Sequence, residues 1–351
     1  MARIPVVVVG TGFGCRVHVP ALRAAGFEVV GLVGATPERL AVRAEKAGIS
    51  ATFTDLDEAI AKTGAQAVTI STPPGSHAEL TLTAVARGCH VLCEKPFAMN
   101  VAQARVMVEA AERAGVVNMV SHELRWLPER VLFGKAITDG SIGEPRFLVM
   151  DQFLAFTADP SRSLGDWWFD ASQGGGWLGA SGSHQLDQIR VWLGDIASLS
   201  GSLFLTSDRQ ADADDTFSLR FRTRSGVEVS MQQTAGAWGP PAMLWRCAGT
   251  KGTVWLDKGK VFLADKTGTR ELEAPAEFTL PPAPASPDGT PPGFEVPAFV
   301  RLCEHFHAAI EGGTLASPVP VPTFRDGLAV MEIMDALRVS AAEGGALQRL
   351  A

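Results

Sequence analysis

The chain of 351 residues contains no tyrosine. A tyrosyl general acid is therefore excluded, and with it the Tyr/Lys chemistry of many carbonyl reductases. Cysteines number only five, an odd count in a long chain. That pattern predicts reduced thiols and a cytoplasmic protein rather than a disulfide framework. No block of Lys and Arg occurs, and 31 basic against 38 acidic residues leave a net charge of −7. Nucleic acids and anionic membrane surfaces both require a positive patch, so neither is an expected partner. No apolar run approaches the ~18 residues that cross a bilayer. The N-terminal apolar run is too short for a signal segment and leads straight into glycines, so it is read as a strand. There is no internal repeat and no G-x-S-x-G nucleophile elbow.

What is present points to a two-domain α/β enzyme. The length and the 46% hydrophobic content suffice for two cores. The first third alternates short apolar runs (4–9, 28–33, 51–54, 67–71, 90–93, 116–121) with helical stretches at 14–25, 37–47, 56–63, 76–87 and 101–114. Strands separated by helices predict a parallel, doubly wound Rossmann sheet over residues 1–122. Residues 123–351 read differently. After a helix at 129–139, apolar Phe217, Leu219 and Phe221 alternate with Ser218, Arg220 and Arg222. Turns recur at Lys251-Gly252, Lys258-Gly259 and Thr267-Gly268. This predicts an α+β domain with an open, mostly antiparallel sheet, wet on one face and available for a homodimer or homotetramer. A proline-rich loop over 275–297 and helices at 297–311 and 324–343 complete it.

Directly after the first strand stands Gly10-Thr11-Gly12-Phe13-Gly14-Cys15, a G-x-G-x-x-G pattern with Cys in the third glycine's place. Placed between a strand and a helix, it predicts a dinucleotide pyrophosphate cradle; the alternative is a turn with only a structural role. The acid that would receive the ribose hydroxyls after the second strand is replaced by Gly34. A 2′-phosphate is then not repelled, and Thr36 and Arg39 are candidates to hold it. NADP(H) is accordingly expected over NAD(H), with Arg39 as an ordinary exposed helix residue the alternative.

Cys93-Glu94-Lys95-Pro96 falls at the carboxyl end of the fifth predicted strand, where ligands of a doubly wound sheet lie. A lysine there is either a surface residue or a participant in chemistry. Together with Ser71-Thr72-Pro73-Pro74, His77, Glu123-Leu124-Arg125-Trp126-Leu127-Pro128, Gly174-Gly175-Gly176 and Gly182-Ser183-His184-Gln185-Leu186-Asp187, these motifs make the chain resemble the glucose–fructose oxidoreductase/inositol dehydrogenase/MocA (Gfo/Idh/MocA) family along nearly its whole length. The resemblance implies an NAD(P)-dependent hydride transfer to or from a small hydroxylated substrate. It implies that Lys95 lies by the nicotinamide, that Glu94 helps hold the cofactor alongside Ser71, Thr72, Pro73 and His77, and that His184 is an acid/base.

One departure affects the reaction. The family's aspartate four residues before the histidine is Ala180 here. Asp187, one helical turn after His184, is a candidate for part of that role, or else pairs with Arg190. Arg125 and Trp168 are candidate substrate contacts, with an ion pair and core packing as the respective alternatives. Trp167, Phe169 and Trp177 crowd the same region and, with Ala180, suggest a less polar pocket. A reductase of an imine or conjugated carbonyl using Lys95 alone is the second reading, and a non-catalytic dinucleotide sensor the third. No metal is expected: Cys89-His90-Val91-Leu92-Cys93 alternates strand faces, and His305 and His307 diverge on a helix.

Overall fold

The run Ile4–Val9 has no polar interruption, and its buried strand, β1, lies inside a six-stranded sheet. The structure, a computed structural model, describes residues 3–162, 164–285 and 291–350. Parallel to β1 run β2 (Phe27–Val33), β3 (Thr52–Phe53), β4 (Ala67–Ile70), β5 (His90–Cys93) and β6 (Asn118–Val120), in the order β3-β2-β1-β4-β5-β6. Helices α1 (Val19–Ala24), α2 (Pro37–Ala47), α3 (Leu56–Thr63), α4 (His77–Ala86) and α5 (Val101–Ala114) occupy the predicted helical segments. The strand order reverses between β1 and β4, which is where a doubly wound sheet opens its ligand crevice.

The first helix departs from expectation. It opens with a π-turn over Gly14–His18 and becomes α-helical only at Val19. The start of this turn is pinned from below, because a Cβ on Gly14 would lie 2.5 Å from Ser71 Oγ. The wider turn carries His18 into full burial.

The chain groups into two compact units, Met1–Trp126 with Leu280–Leu328 and Leu127–Thr279 with Ala329–Ala351. In the second, α6 (Pro128–Thr138) and α7 (Ser183–Leu193) cover one face of a nine-stranded sheet. Its strands are β7 (Pro145–Phe153), β8 (Ile196–Phe204), β9 (Thr216–Thr223), β10 (Glu228–Thr234), β11 (Ala242–Gly249), β12 (Gly252–Asp257), β13 (Lys260–Asp265), β14 (Gly268–Leu272) and β15 (Gln348–Arg349). The order is β14-β13-β12-β11-β7-β10-β9-β8-β15. Two meanders, β8–β10 and β11–β14, are joined through β7. Every pairing is antiparallel except β7 with β10, which is parallel because the chain returns to β10 only after α7, β8 and β9.

The alternation read in β9 holds. Phe217, Leu219 and Phe221 are buried, while Arg220 and Arg222 face outward. On the uncovered face Phe147 (47%), Phe153 (49%) and Leu244 (48%) keep about half their surface in water, so this side carries exposed apolar area. Most of the proline-rich loop is described and includes a 3-10 turn at Ala276–Phe278, whereas 286–290 lies outside the described residues.

Two helices, α8 (Val296–Ile310) and α9 (Phe324–Ala342), follow the loop. α8 belongs to the first unit, where Phe299 lies 4.5 Å from the His18 ring and His305 stacks 5.2 Å from Trp126. Among the described residues no helix is long and apolar enough to cross a membrane.

The glycines of the β1 turn differ in what they tolerate. Gly10 has φ +114, and a Cβ there would stand 2.6 Å from the Ser71 carbonyl oxygen, a backbone atom held by the Ser71 N–H bond to Val9 O. At Gly12 an added Cβ meets only the Arg39 guanidinium, at 3.6 Å. Gly10→Ala is expected to destabilise the protein by about 2 kcal/mol or more, whereas Gly12→Ala should stay within about 0.5 kcal/mol of wild type. Denaturant unfolding of the two variants checks this, and equal midpoints would contradict the packing described.

Candidate active site

The turn after β1 is held closed from one side and open on the other. Ser71, just past β4, donates its backbone N–H and its hydroxyl to Val9 O, at 2.8 and 2.9 Å. It thereby fills the space beneath Gly10 and Gly14, so both positions must lack a side chain. Gly12 has no such neighbour, so its backbone is open to a pyrophosphate over the following turn, and the residues present fit a dinucleotide. Ser71 is thus a packing element of the cradle. Phe13 packs edge-on to Phe299 at 6.2 Å, with Arg16 over its ring.

The missing acid at position 34 has a steric counterpart. A Cβ on Gly34 would come within 2.6 Å of the Thr11 methyl, so the Thr11 side chain occupies the room an acidic residue would use. Thr36 begins α2 without spending its hydroxyl on a cap. Arg39 reaches Gly12, and burial raises the Cys15 thiol pKa while Arg43 and Arg39 offset part of that rise. Two cations one helical turn apart therefore stand at the Gly-rich turn, with Gly34 where an acid would oppose them.

At the end of β5 the backbone of Glu94 donates to Ile70 O at 2.9 Å, which sets its carboxylate inside the protein. Glu94 Oε1 lies 3.1 Å from His18 Nε2, and Oε2 accepts the Lys95 backbone N–H at 3.2 Å. Burial pushes the Glu94 carboxyl upward, but the His18 hydrogen bond, the Lys95 charge and Ser121 outweigh it and hold it below its ordinary value. Glu123 is likewise buried, beyond β6, and its Oε2 has no hydrogen-bond partner among the described residues. Burial and the negative charge of Glu94 push Glu123 up to about 8, against the pull of Lys95. Near neutral pH one carboxyl is ionised and the other keeps its proton, around a single lysine. This divergence of two neighbouring acids is a recurrent feature of acid/base sites.

Two of the expected ligands, His77 and Arg125, have partners within the first unit. His77, expected at the cofactor, has both ring nitrogens committed. Nε2 faces Thr72 O at 2.9 Å, and Nδ1 faces Pro96 O at 3.1 Å and Phe97 O at 3.3 Å. It ties the Thr72-Pro73 loop to the loop after Lys95, whose Lys95–Pro96 peptide is cis. Thr72 Oγ1 accepts from Ser76 at 2.7 Å. Arg125, expected at the substrate, is buried in an ion pair with Asp326 at 3.0 Å and donates to Pro320 O at 3.0 Å.

In the second unit a π-turn, Leu178–Gly182, precedes α7, so Ala180 and His184 do not share one continuous α-helical face. His184 is 6% and Asp187 0% exposed. Arg190 pairs with Asp195 at 2.9 Å. Asp214 holds the front of this segment, its Oδ2 accepting Leu178 N–H at 2.9 Å, and burial raises its carboxyl to about 6. Ser181 donates to Gln233 at 3.1 Å. Trp168 is half-buried against Trp167 and Phe156, at 5.0 and 5.2 Å, and Trp177 packs on the same Phe156. Sequence reasoning missed His18, Glu123 and Asp214. Glu123 stood inside a recognised motif and His18 four residues after Gly14, but neither betrays its burial.

Residues 4–122 match the oxidoreductase family with an NAD-binding Rossmann fold, and 133–255 match the Gfo/Idh/MocA C-terminal domain. D-apiose dehydrogenase of Paraburkholderia graminis is 28% identical over 346 residues, 96% of this chain and 87% of that one. A levoglucosan dehydrogenase structure in complex with NADH and levoglucosan superposes with a TM-score of 0.84 at 25% identity, covering 99% of each chain. An oxidoreductase domain protein from Kribbella flavida gives 0.85 at 28% identity over 100% of both chains.

The raised Glu123 has a signature in stability. The folded protein keeps that proton up to about pH 8, whereas the unfolded chain releases it near 4.5. Its contribution is thus complete below pH 4.5 and is lost as pH rises through about 8. Glu123→Gln removes the titration. Melting temperatures of both proteins across pH 5–9 should show the variant gaining on wild type as pH rises; a constant difference would mean that Glu123 does not titrate as described.

Proposed function

The chain belongs to the Gfo/Idh/MocA family of NAD(P)-dependent oxidoreductases, and on that premise we propose that it moves a hydride between NADP(H) and a small hydroxylated substrate of the sugar, cyclitol or ring-like type. The observation that carries this reading is Lys95 at the carboxyl end of β5, beside an ionised Glu94 and a protonated Glu123. The sugar-type activities named for its relatives, D-apiose and levoglucosan dehydrogenases, support the substrate class. The nicotinamide, when bound, supplies or accepts the hydride. The chain's own residues handle the proton. Lys95 donates it to, or withdraws it from, the oxygen on the reacting carbon, and Glu94 holds the Lys95 backbone through its N–H. His184 is the second acid/base. Ala180 in place of the usual aspartate favours, as a second reading, reduction of an imine or conjugated carbonyl through Lys95 alone.

NADP(H) is preferred over NAD(H) in this reading because Arg39 and Arg43 face the Gly-rich turn while Gly34 offers no opposing carboxylate. The half-exposed apolar residues of the sheet, Phe147, Phe153 and Leu244, support a homodimer or homotetramer closed through that face. All five cysteines are free and buried, which suits a reducing, cytoplasmic setting.

Two experiments decide the assignment. Titrating NADPH and NADH by tryptophan fluorescence should give tighter NADPH binding, and Arg39→Ala should weaken NADPH about tenfold while leaving NADH within about twofold. Tighter NADH binding in wild type would overturn the preference. For the chemistry, turnover over a panel of neutral sugars read at the nicotinamide absorbance should fall by about 10²–10⁴ in Lys95→Ala with cofactor affinity little changed. A comparable loss in His184→Ala would make it a second acid/base, and a rise in KM alone would leave the proton transfer to Lys95. Full activity in Lys95→Ala refutes the mechanism.

A further inference from the structure

His18, the hydrogen-bond partner of Glu94, joins the two halves of the first unit's site. It is fully buried at the end of the π-turn that follows the Gly-rich loop. Phe299 of α8 covers one face of its ring at 4.5 Å, and Phe13 meets it edge-on at 5.7 Å. These aromatics leave the ring little freedom to turn. Nε2 points at Glu94 Oε1, 3.1 Å away, while Nδ1 has no hydrogen-bond partner among the described residues. A carboxylate as deeply buried as Glu94 persists as an anion only where donors and charge compensate it.

The groups that face Glu94 are few. His18 comes from the π-turn, Cys93 from the end of β5, Lys95 from the residue after Glu94, Ser121 from beyond β6, Glu123 from the following turn and His77 from α4. From α8 and the loop before it, Cys303 and Glu295 face Glu123 rather than Glu94. Of these, Lys95 carries its charge on a long stem, Glu123 is itself acidic, and His77 is spent on carbonyls. His18 is the rigid nitrogen donor.

We propose that His18 is a positioning residue that holds the Glu94 carboxylate in place and, through the Oε2 contact with the Lys95 backbone N–H, sets where Lys95 stands. Because His18 closes the same π-turn that follows the phosphate-binding glycines, the cofactor cradle and the proton-transferring lysine are connected through the two oxygens of Glu94. The proposal rests on the assignment of Lys95 as the proton-transfer group, so the two must be tested apart.

The test uses the full-length protein with His18→Phe, which keeps the aromatic packing but removes the donor, and His18→Gln, which restores an N–H near the same place. Without the donor, the buried Glu94 takes up a proton more readily. His18→Phe should therefore lose melting temperature relative to wild type as pH rises from 5 to 8, in the absence of any substrate or cofactor, and His18→Gln should recover most of it. In turnover, His18→Phe should lose about 10²-fold in kcat, and the acid limb of its kcat–pH profile should move up by about one pH unit or more. A pH-independent drop in melting temperature with an unmoved acid limb would make His18 a packing residue and overturn the proposal. If Lys95→Ala stays active, the Lys95 assignment fails instead; if Lys95→Ala is inactive while His18→Phe matches wild type, only the role of His18 fails.

Discussion

The first unit depends on the close approach of Ser71 to the turn that follows β1. With Ser71 bonded to Val9 O through both its N–H and its hydroxyl, the chain beneath the turn has no spare volume. Gly10 and Gly14 follow from that contact, and the pinned Gly14 opens the π-turn that delivers His18 to the interior. From His18 the consequences pass to Glu94 and to the backbone of Lys95. Packing at the switch point of the sheet and charge at the end of β5 are therefore successive results of one steric constraint.

The electrostatics extend the same logic. Two acids lie within each other's field, and they differ because only one is given donors. Glu94 has His18 and the backbone N–H of its own chain neighbour, whereas Glu123 has little beyond the opposing pull of Lys95. Burial alone would have raised both. In the second unit, Asp214 is raised by burial in the same way and spends one oxygen on the N–H at the front of the segment leading to His184.

Much of this was legible before any coordinates. β1 and the bounds of α2, α3 and α5 follow from unbroken apolar runs and helical periodicity, which are local properties. The position of Lys95 at a strand end was equally legible. The parallel pairing of β7 with β10 was not, since nothing local in either strand names its partner. Neither π-turn has a compositional mark. The lack of an acid at Gly34 could be read, but the Thr11 methyl that accounts for it belongs to a loop some twenty residues earlier. Nothing local names the partners of Arg125 and His77, which come from Asp326 and from the loops around Thr72 and Pro96. Glu123 looks like any helix-starting acid until Glu94 and the walls around it are in place.

The membership of α8 in the first unit sets the order in which the protein can be completed on the ribosome. Phe299 and His305 cover His18 and Trp126, yet they are made only after the entire second sheet up to β14. At ordinary elongation rates the gap between Trp126 and the end of α8 is roughly 10–40 s. Through that interval the nascent Rossmann sheet carries an uncovered aromatic patch around Phe13, His18 and Trp126. A fragment ending at residue 126 would carry the same patch permanently, so its exposure during synthesis and in the isolated N-terminal segment have a common origin in the late arrival of one helix.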